Sequence, residues 1–155
     1  MASQVLFVCT GNTCRSPMAE ALLRAALPPG ADWRVASAGV AASPGARASE
    51  YAIEAVAELG VDLSAHRSQP VTGQLVSVSA VIVAMTHQHA QALCERFPDI
   101  RGRVRLMRDF DPAAQPQSDV ADPFCGSAAD YRNCRDVLRR AIPGLLEHLQ
   151  TSDAQ

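Results

Sequence analysis

The 155-residue chain predicts an α/β layer fold built on a parallel sheet, and three observations carry that expectation. Apolar runs suited to strands recur at residues 5–8, 33–38, 76–85 and 104–107. Stretches with helical periodicity separate them, and strand–helix alternation is the pattern of βαβ units, whose strands lie parallel. The first strand runs straight into a polar loop and a helix start. In open α/β sheets such a loop sits at the carboxyl end of its strand, where ligands bind.

Residues 5–8 read as a buried strand. Residues 16–27 read as a helix with Ser16 as N-cap, Pro17 at the first helical position and Glu20 in the first turn, ended by Pro28-Pro29-Gly30. Residues 33–38 read as a second strand, stopped at Gly39. Residues 48–59 have helical periodicity, and Gly60 stands where a C-terminal cap belongs. The long β-branched run 76–85 predicts a central parallel strand. Residues 86–97 predict a helix, 104–107 a short strand, and 128–149 a long helix kinked at Pro143. No repeat, low-complexity tract or internal linker interrupts residues 1–155, so one domain is the expected organisation.

Composition narrows the function. A net charge of −2 with mixed signs gives no reason to expect nucleic acid as a partner. No signal peptide precedes Val5, and no apolar run approaches the roughly 18 residues of a membrane span. Five cysteines, an odd number with two in one short loop, argue against a disulfide framework. Cytoplasm is the expected compartment, with no membrane association.

The segment Cys9-Thr10-Gly11-Asn12-Thr13-Cys14-Arg15-Ser16 carries the chemistry. Gly11 and Asn12 tolerate left-handed backbone. A loop wrapped around one centre turns its N–H groups inward as an anion nest, and the helix N-terminus adds partial positive charge. Arg15 offers two parallel donors to a phosphoryl group. The same field stabilises the thiolate of Cys9. Phosphate or a similar tetrahedral oxyanion is the expected ligand. A buried thiol in an ordinary βα turn is the competing reading, and a bare C-x5-R spacing is weak evidence. The strand before it, Gly-Asn inside it and Ser-Pro after it favour a nucleophilic cysteine. The loop lacks the G-x4-G-K-[ST] pattern of a Walker sequence.

CTGNTCRS, together with Asp122-Pro123 late in the chain, resembles the low-molecular-weight protein-tyrosine-phosphatase family over nearly the whole length. Thr13, the stretch Ala84-Met85-Thr86-His87-Gln88-His89 and Asp122-Pro123-Phe124 look most like its bacterial protein-arginine phosphatase branch. The resemblance implies a three-layer fold with a four-stranded sheet flanked by helices, and a phosphocysteine intermediate formed on phosphorylated protein substrates. Cys9 and Arg15 match the family's catalytic loop, with residues 10–16 binding phosphate and Asp122 as general acid. Asp111-Pro112 competes for that last role, but an Asp-Pro is more often a turn, and the family places its acid just before the last helix. Asp119 reads as a solvated or loop-capping residue.

Asn12, Ser16 and His66 match a supporting set in which an asparagine and a serine of the loop bond a histidine, and Ser37 matches a position packed beside it. Cys14 implies redox pairing with Cys9. His87 and His89, two apart at a helix start, have a poor spacing for one metal ion and read as helix-start or surface residues; no metal or cofactor is expected. Cys94, Cys125 and Cys134 read as incidental.

Three activities compete. Phosphoarginine hydrolysis is favoured by Thr13, where most tyrosine-directed members carry isoleucine. Phosphotyrosine hydrolysis is the alternative, although Phe124-Cys125 replaces the paired tyrosines usual there. That residues 40–43 supply no aromatic wall leaves the substrate open, because the arginine branch also tends to place an aromatic there. Thiol-coupled arsenate reduction would need two further relay cysteines, and Cys94 stands alone in its region. A catalytically silent anion-binding module is the remaining reading.

Overall fold

A computed structural model describes residues 3–153; the outermost residues of the expected domain, 1–2 and 154–155, lie outside the described residues. Four parallel strands form one sheet: β1 (Ser3–Cys9), β2 (Trp33–Gly39), β3 (Ser79–Ala84) and β4 (Val104–Leu106), in the order β2-β1-β3-β4. The helices are α1 (Arg15–Ala26), α2 (Glu50–Ala57), α3 (Gly73–Ser77), α4 (His87–Arg96) and α5 (Ala128–Asp153), with 3₁₀ turns at Pro98–Arg103 and Met107–Phe110.

The two-residue period of β1 sorts the layers. Val5 and Phe7 join the core that α1, α2 and α5 cover, through Met18, Leu23, Val56 and Leu138. Leu6 and Val8 face the opposite core, closed by Val76, Leu93 and Ile100. All four β1 side chains are fully buried, which explains a continuous apolar run rather than an alternating one. Cys9 follows Phe7 by two positions and shares its face. The pleat therefore aims the cysteine towards α1 and α5.

Several boundaries differ from expectation. α1 starts at Arg15, and its N-cap position is Cys14, with no capping side chain. Ser16 is inside the first turn because its hydroxyl is taken by the loop, and Glu20 lies beyond the first turn. The run 76–85 divides: Val76 and Ser77 complete α3, and the strand begins only at Ser79. Thr72 caps α3 by accepting from the Leu75 N–H, a local signal that β-branching at 76, 78 and 81 hides. α2 starts two residues later than expected; Gly60, with φ +76°, ends that segment, and the Val61 N–H reaches back to the Val56 carbonyl. α5 continues through Pro143. Gly144 beside it lets Met107–Phe110 pack against the helix, since a Cβ there would collide with the Phe110 carbonyl.

Candidate active site

The loop between β1 and α1 is held from behind by one amide. Asn12 is completely buried, with φ +58°; Gly11 does not share that left-handed conformation. The Asn12 Oδ1 accepts from the Gln69 N–H at 3.0 Å, which fixes which end of the amide is oxygen. Its Nδ2 therefore donates to Ser16 Oγ at 2.8 Å and Ser37 Oγ at 2.9 Å. Ser37 passes its own proton to Glu20 Oε1. Ser16 Oγ lies 2.9 Å from Cys9 Sγ. Having accepted from Asn12, the Ser16 hydroxyl has its proton left for the sulfur. His66 Nε2 meets the Asn12 main-chain carbonyl at 2.8 Å. Ser16 bonds Asn12 and Cys9 rather than His66, so the expected three-residue set is a chain and not a convergence on the histidine.

Arg15 is 4% exposed. Its Nη1 donates to the Val120 carbonyl at 2.9 Å, and its Nη2 lies 3.5 Å from Asp122 Oδ2. One hydrogen bond thus ties the loop to the segment that carries the carboxylate. Cys9, Thr10, Gly11, Thr13, Cys14 and Arg15 line a cleft of about 180 Å³, and Asp122 and Phe124 close it from the other side. A larger hollow of about 610 Å³ lies behind the loop against Glu20, Arg24 and His66, but the Cys9 thiol, the Arg15 guanidinium and the Asp122 carboxylate converge on the smaller one.

The carboxylate loop is set by the start of α5. Ser127 Oγ accepts from the Asp130 N–H at 3.2 Å, and Asp130 Oδ2 accepts from the Ser127 N–H at 2.9 Å, a reciprocal cap. A Cβ at Gly126 would collide with Asp130, so a glycine is required for the turn. Asp122 Oδ1 accepts from the Phe124 N–H, Cys125 is left-handed at φ +66°, and Phe124 is 67% exposed. Asp111 is elsewhere: it is buried, accepts from the Ala113 N–H and faces Arg140 at 3.7 Å. Asp119 accepts from the N–H and Nδ1 of His87, which hold its carboxyl below the usual carboxylate range.

Three residues beside the cleft escape a sequence reading. Cys14 Sγ sits 3.1 Å from Ser49 Oγ and 3.3 Å from Tyr131 Oη. Burial pushes the Tyr131 hydroxyl up to about 12, and the Cys14 contact acts in the same direction. Burial likewise pushes the Cys134 thiol up to about 12. His89 is not a surface residue. It is 5% exposed, and its Nε2 lies 2.8 Å from Thr10 Oγ1. Burial first, then the Arg15 charge, lowers it to about 4. Its only sequence signal is position: it is the third residue of a helix that starts at the carboxyl end of a strand beside β1. Among the described residues no cluster of His, Cys, Asp and Glu could hold a metal ion, and no helix is long and apolar enough to cross a membrane.

Residues 4–155 match the family described as low molecular weight phosphotyrosine protein phosphatase. The chain is similar to a protein-arginine-phosphatase of Bacillus subtilis (strain 168), with 41% identity over 94% of this chain and 96% of that one. The structure resembles the YwlE arginine phosphatase from Geobacillus stearothermophilus, with 39% identity, a TM-score of 0.88 and coverage of 98% and 96%. It also resembles a cysteine-to-serine mutant of YwlE arginine phosphatase bearing a phosphorylated active-site serine, at 40% identity and TM-score 0.87, covering 95% of each chain.

Proposed function

The chain belongs to the low-molecular-weight phosphotyrosine protein phosphatase family, and from that premise we propose that it is a single-domain phosphatase that hydrolyses phosphoarginine in proteins through a phosphocysteine. The observation that carries this reading is the cleft itself. Cys9, with Ser16 at its sulfur, lies at the wall opposite a half-exposed carboxylate that faces Arg15.

In the first step the Cys9 thiolate attacks phosphorus and an S–P bond forms as the P–N bond to the guanidine breaks. The departing nitrogen takes a proton from Asp122. In the second step the Asp122 carboxylate takes a proton from water as that water attacks phosphorus; phosphate leaves and the thiolate returns. The Ser16 hydroxyl donates to the sulfur as it attacks and again as it leaves. Arg15 has Nη1 engaged by Val120, so its Nε and Nη2 edge remains to grip two phosphoryl oxygens. Main-chain N–H groups of residues 10–16 complete the cradle. Asn12, Ser37 and His66 hold that backbone in shape.

Arginine preference rests on the 41% identity to protein-arginine phosphatases and on Thr13 and Phe124 at the mouth. A β-branched hydroxyl and an exposed ring leave room for a planar guanidinium at the mouth. The family description favours phosphotyrosine as the second reading. The compartment that fits a reduced nucleophile is the cytoplasm. Under oxidant, Cys9 sulfenic acid would be captured by the Cys14 thiol with loss of water. For that, Cys14 must leave its contacts with Ser49 and Tyr131.

Turnover per active site on phosphoarginine and phosphotyrosine peptides, side by side at neutral pH with reductant, tests the assignment. A higher kcat/KM on phosphoarginine is expected, and a wide preference for phosphotyrosine overturns it. Cys9→Ser should lose turnover and accumulate phosphoserine; hydrolysis near the parental rate would remove the covalent mechanism.

A further inference from the structure

His89 is buried at the cleft, outside the phosphate loop, and the mechanism above gives it no task. Its two nitrogens have unlike surroundings. Nε2 lies 2.8 Å from Thr10 Oγ1, whereas Nδ1 is buried with no hydrogen-bond partner among the described residues. At neutral pH the ring is uncharged and carries one N–H. A proton on Nδ1 would be an orphaned donor, whereas a bare lone pair there costs less. The proton therefore belongs on Nε2, and His89 donates to Thr10.

That tautomer decides what Thr10 does. Its oxygen is already an acceptor, so its own proton is left over. Thr10 lines the cleft directly after the nucleophile. Its main-chain carbonyl is anchored by the Ala41 N–H. The histidine is itself fixed, because its main-chain N–H donates to the Thr86 hydroxyl that caps α4.

We propose that His89 is a positioning residue that holds the Thr10 hydroxyl as an additional proton donor to the phosphoryl oxygens bound in the cleft. It acts through Thr10 and does not touch the reacting atoms. The donor adds to those of Arg15 and the loop backbone. The inference rests on the phosphatase reading of this cleft.

The test uses the intact protein with an aryl phosphate as substrate and inorganic phosphate as competitive inhibitor, comparing His89→Phe, His89→Asn and His89→Gln. Losing one donor should weaken phosphate inhibition and lower kcat/KM about three- to tenfold in His89→Phe. His89→Gln places an N–H near the Nε2 position and should stay close to the parent; His89→Asn can only mimic Nδ1 and should behave like the Phe variant. Thr10→Val combined with His89→Phe should be no worse than Thr10→Val alone. Circular dichroism and thermal melts give the folded fraction. Unchanged phosphate inhibition per folded site overturns the inference, as does full additivity with Thr10→Val. A parent with no turnover overturns the phosphatase reading and this inference together, whereas an active parent indifferent to His89→Phe overturns this inference alone.

Discussion

The two loops that meet over Cys9 are built in opposite ways. From Cys9 to Ser16 the chain is anchored: Asn12 and Ser16 have no exposure, Cys9, Cys14 and Arg15 have 5% or less, and one asparagine makes four hydrogen bonds. Across the cleft, the Asp122 side chain is 50% exposed and Phe124 67% exposed. The Asp122 carboxylate accepts a local hydrogen bond from the Phe124 N–H two residues on. The difference follows from the two tasks. Binding a dianion requires many donors aimed at one point before it arrives, and preorganisation of that kind needs a packed support. Proton delivery to a leaving group requires one carboxyl that can adapt to what leaves, and the groups beside it meet the part of the substrate that varies. On the proposed function, phosphate affinity is expected from the buried loop and substrate choice from the exposed mouth.

The harshest way to break that division is to remove the single chemical group on the exposed side. Asp122→Asn should lower kcat on phosphopeptides by about 10²- to 10⁴-fold, the usual range for a lost general acid. Phosphate inhibition should change little. The loss should shrink on an activated aryl phosphate, whose leaving group needs no proton. Asp111→Asn is the control; should it cost more activity than Asp122→Asn, the acid has been misassigned.

On the buried side the corresponding change is Asn12→Ala. It removes three side-chain hydrogen bonds and puts alanine at φ +58°. At about 0.5–1.5 kcal/mol per bond, with a further ~1 kcal/mol for the left-handed residue, the expected loss is about 4 kcal/mol of stability. Urea unfolding of Asn12→Ala beside Phe124→Ala checks it. Equal midpoints would mean the two loops are not built differently after all.

Thr13→Ile sharpens the comparison because Thr13 belongs to the anchored loop yet lines the mouth. The kcat/KM ratio of phosphoarginine to phosphotyrosine should fall by about ten- to two-hundredfold, equivalent to 1–3 kcal/mol. An unmoved ratio would shift selection to Phe124.

This contrast also explains what could be read in advance. The loop after β1 was legible because its parts are local: cysteine, left-handed asparagine and arginine all lie within seven positions. The parallel sheet was legible because β1 is buried on both faces and shows it as unbroken hydrophobicity. Ser16 misled only as a cap: a serine before proline signals one, but here its hydroxyl is held by Asn12 and lies against the Cys9 sulfur. Residues 76–85 misled because β-branched side chains suit a buried helical turn as well as a strand. Ser49, Tyr131 and His89 were hidden because their contacts cross 35, 117 and 79 positions. Two histidines at a helix start look like solvent-facing residues until the sheet order brings one against β1.

His89 also supplies the smallest test, one of acid sensitivity. Its folded value of about 4 lies below the ordinary 6.5, chiefly because burial disfavours the charged ring. An unfolded chain takes up a proton at this position near pH 6.5, while the folded chain refuses it until about pH 4. Between those values the unfolded state binds more protons, so acid favours unfolding there, and the stability attached to the neutral ring is lost as pH falls through the window. The loss should be on the order of 2 kcal/mol. Asp119, lowered from its usual 3.8, works in the same direction but only below that window. Urea midpoints at pH 7, 6, 5 and 4.5 separate the two in parent and His89→Gln. The parent should weaken more steeply between pH 6.5 and 4.5 than the variant, which has nothing to titrate at position 89. Parallel slopes would mean that the ring finds water or a partner when protonated, and the packed side of the cleft would then be looser than its buried loop requires.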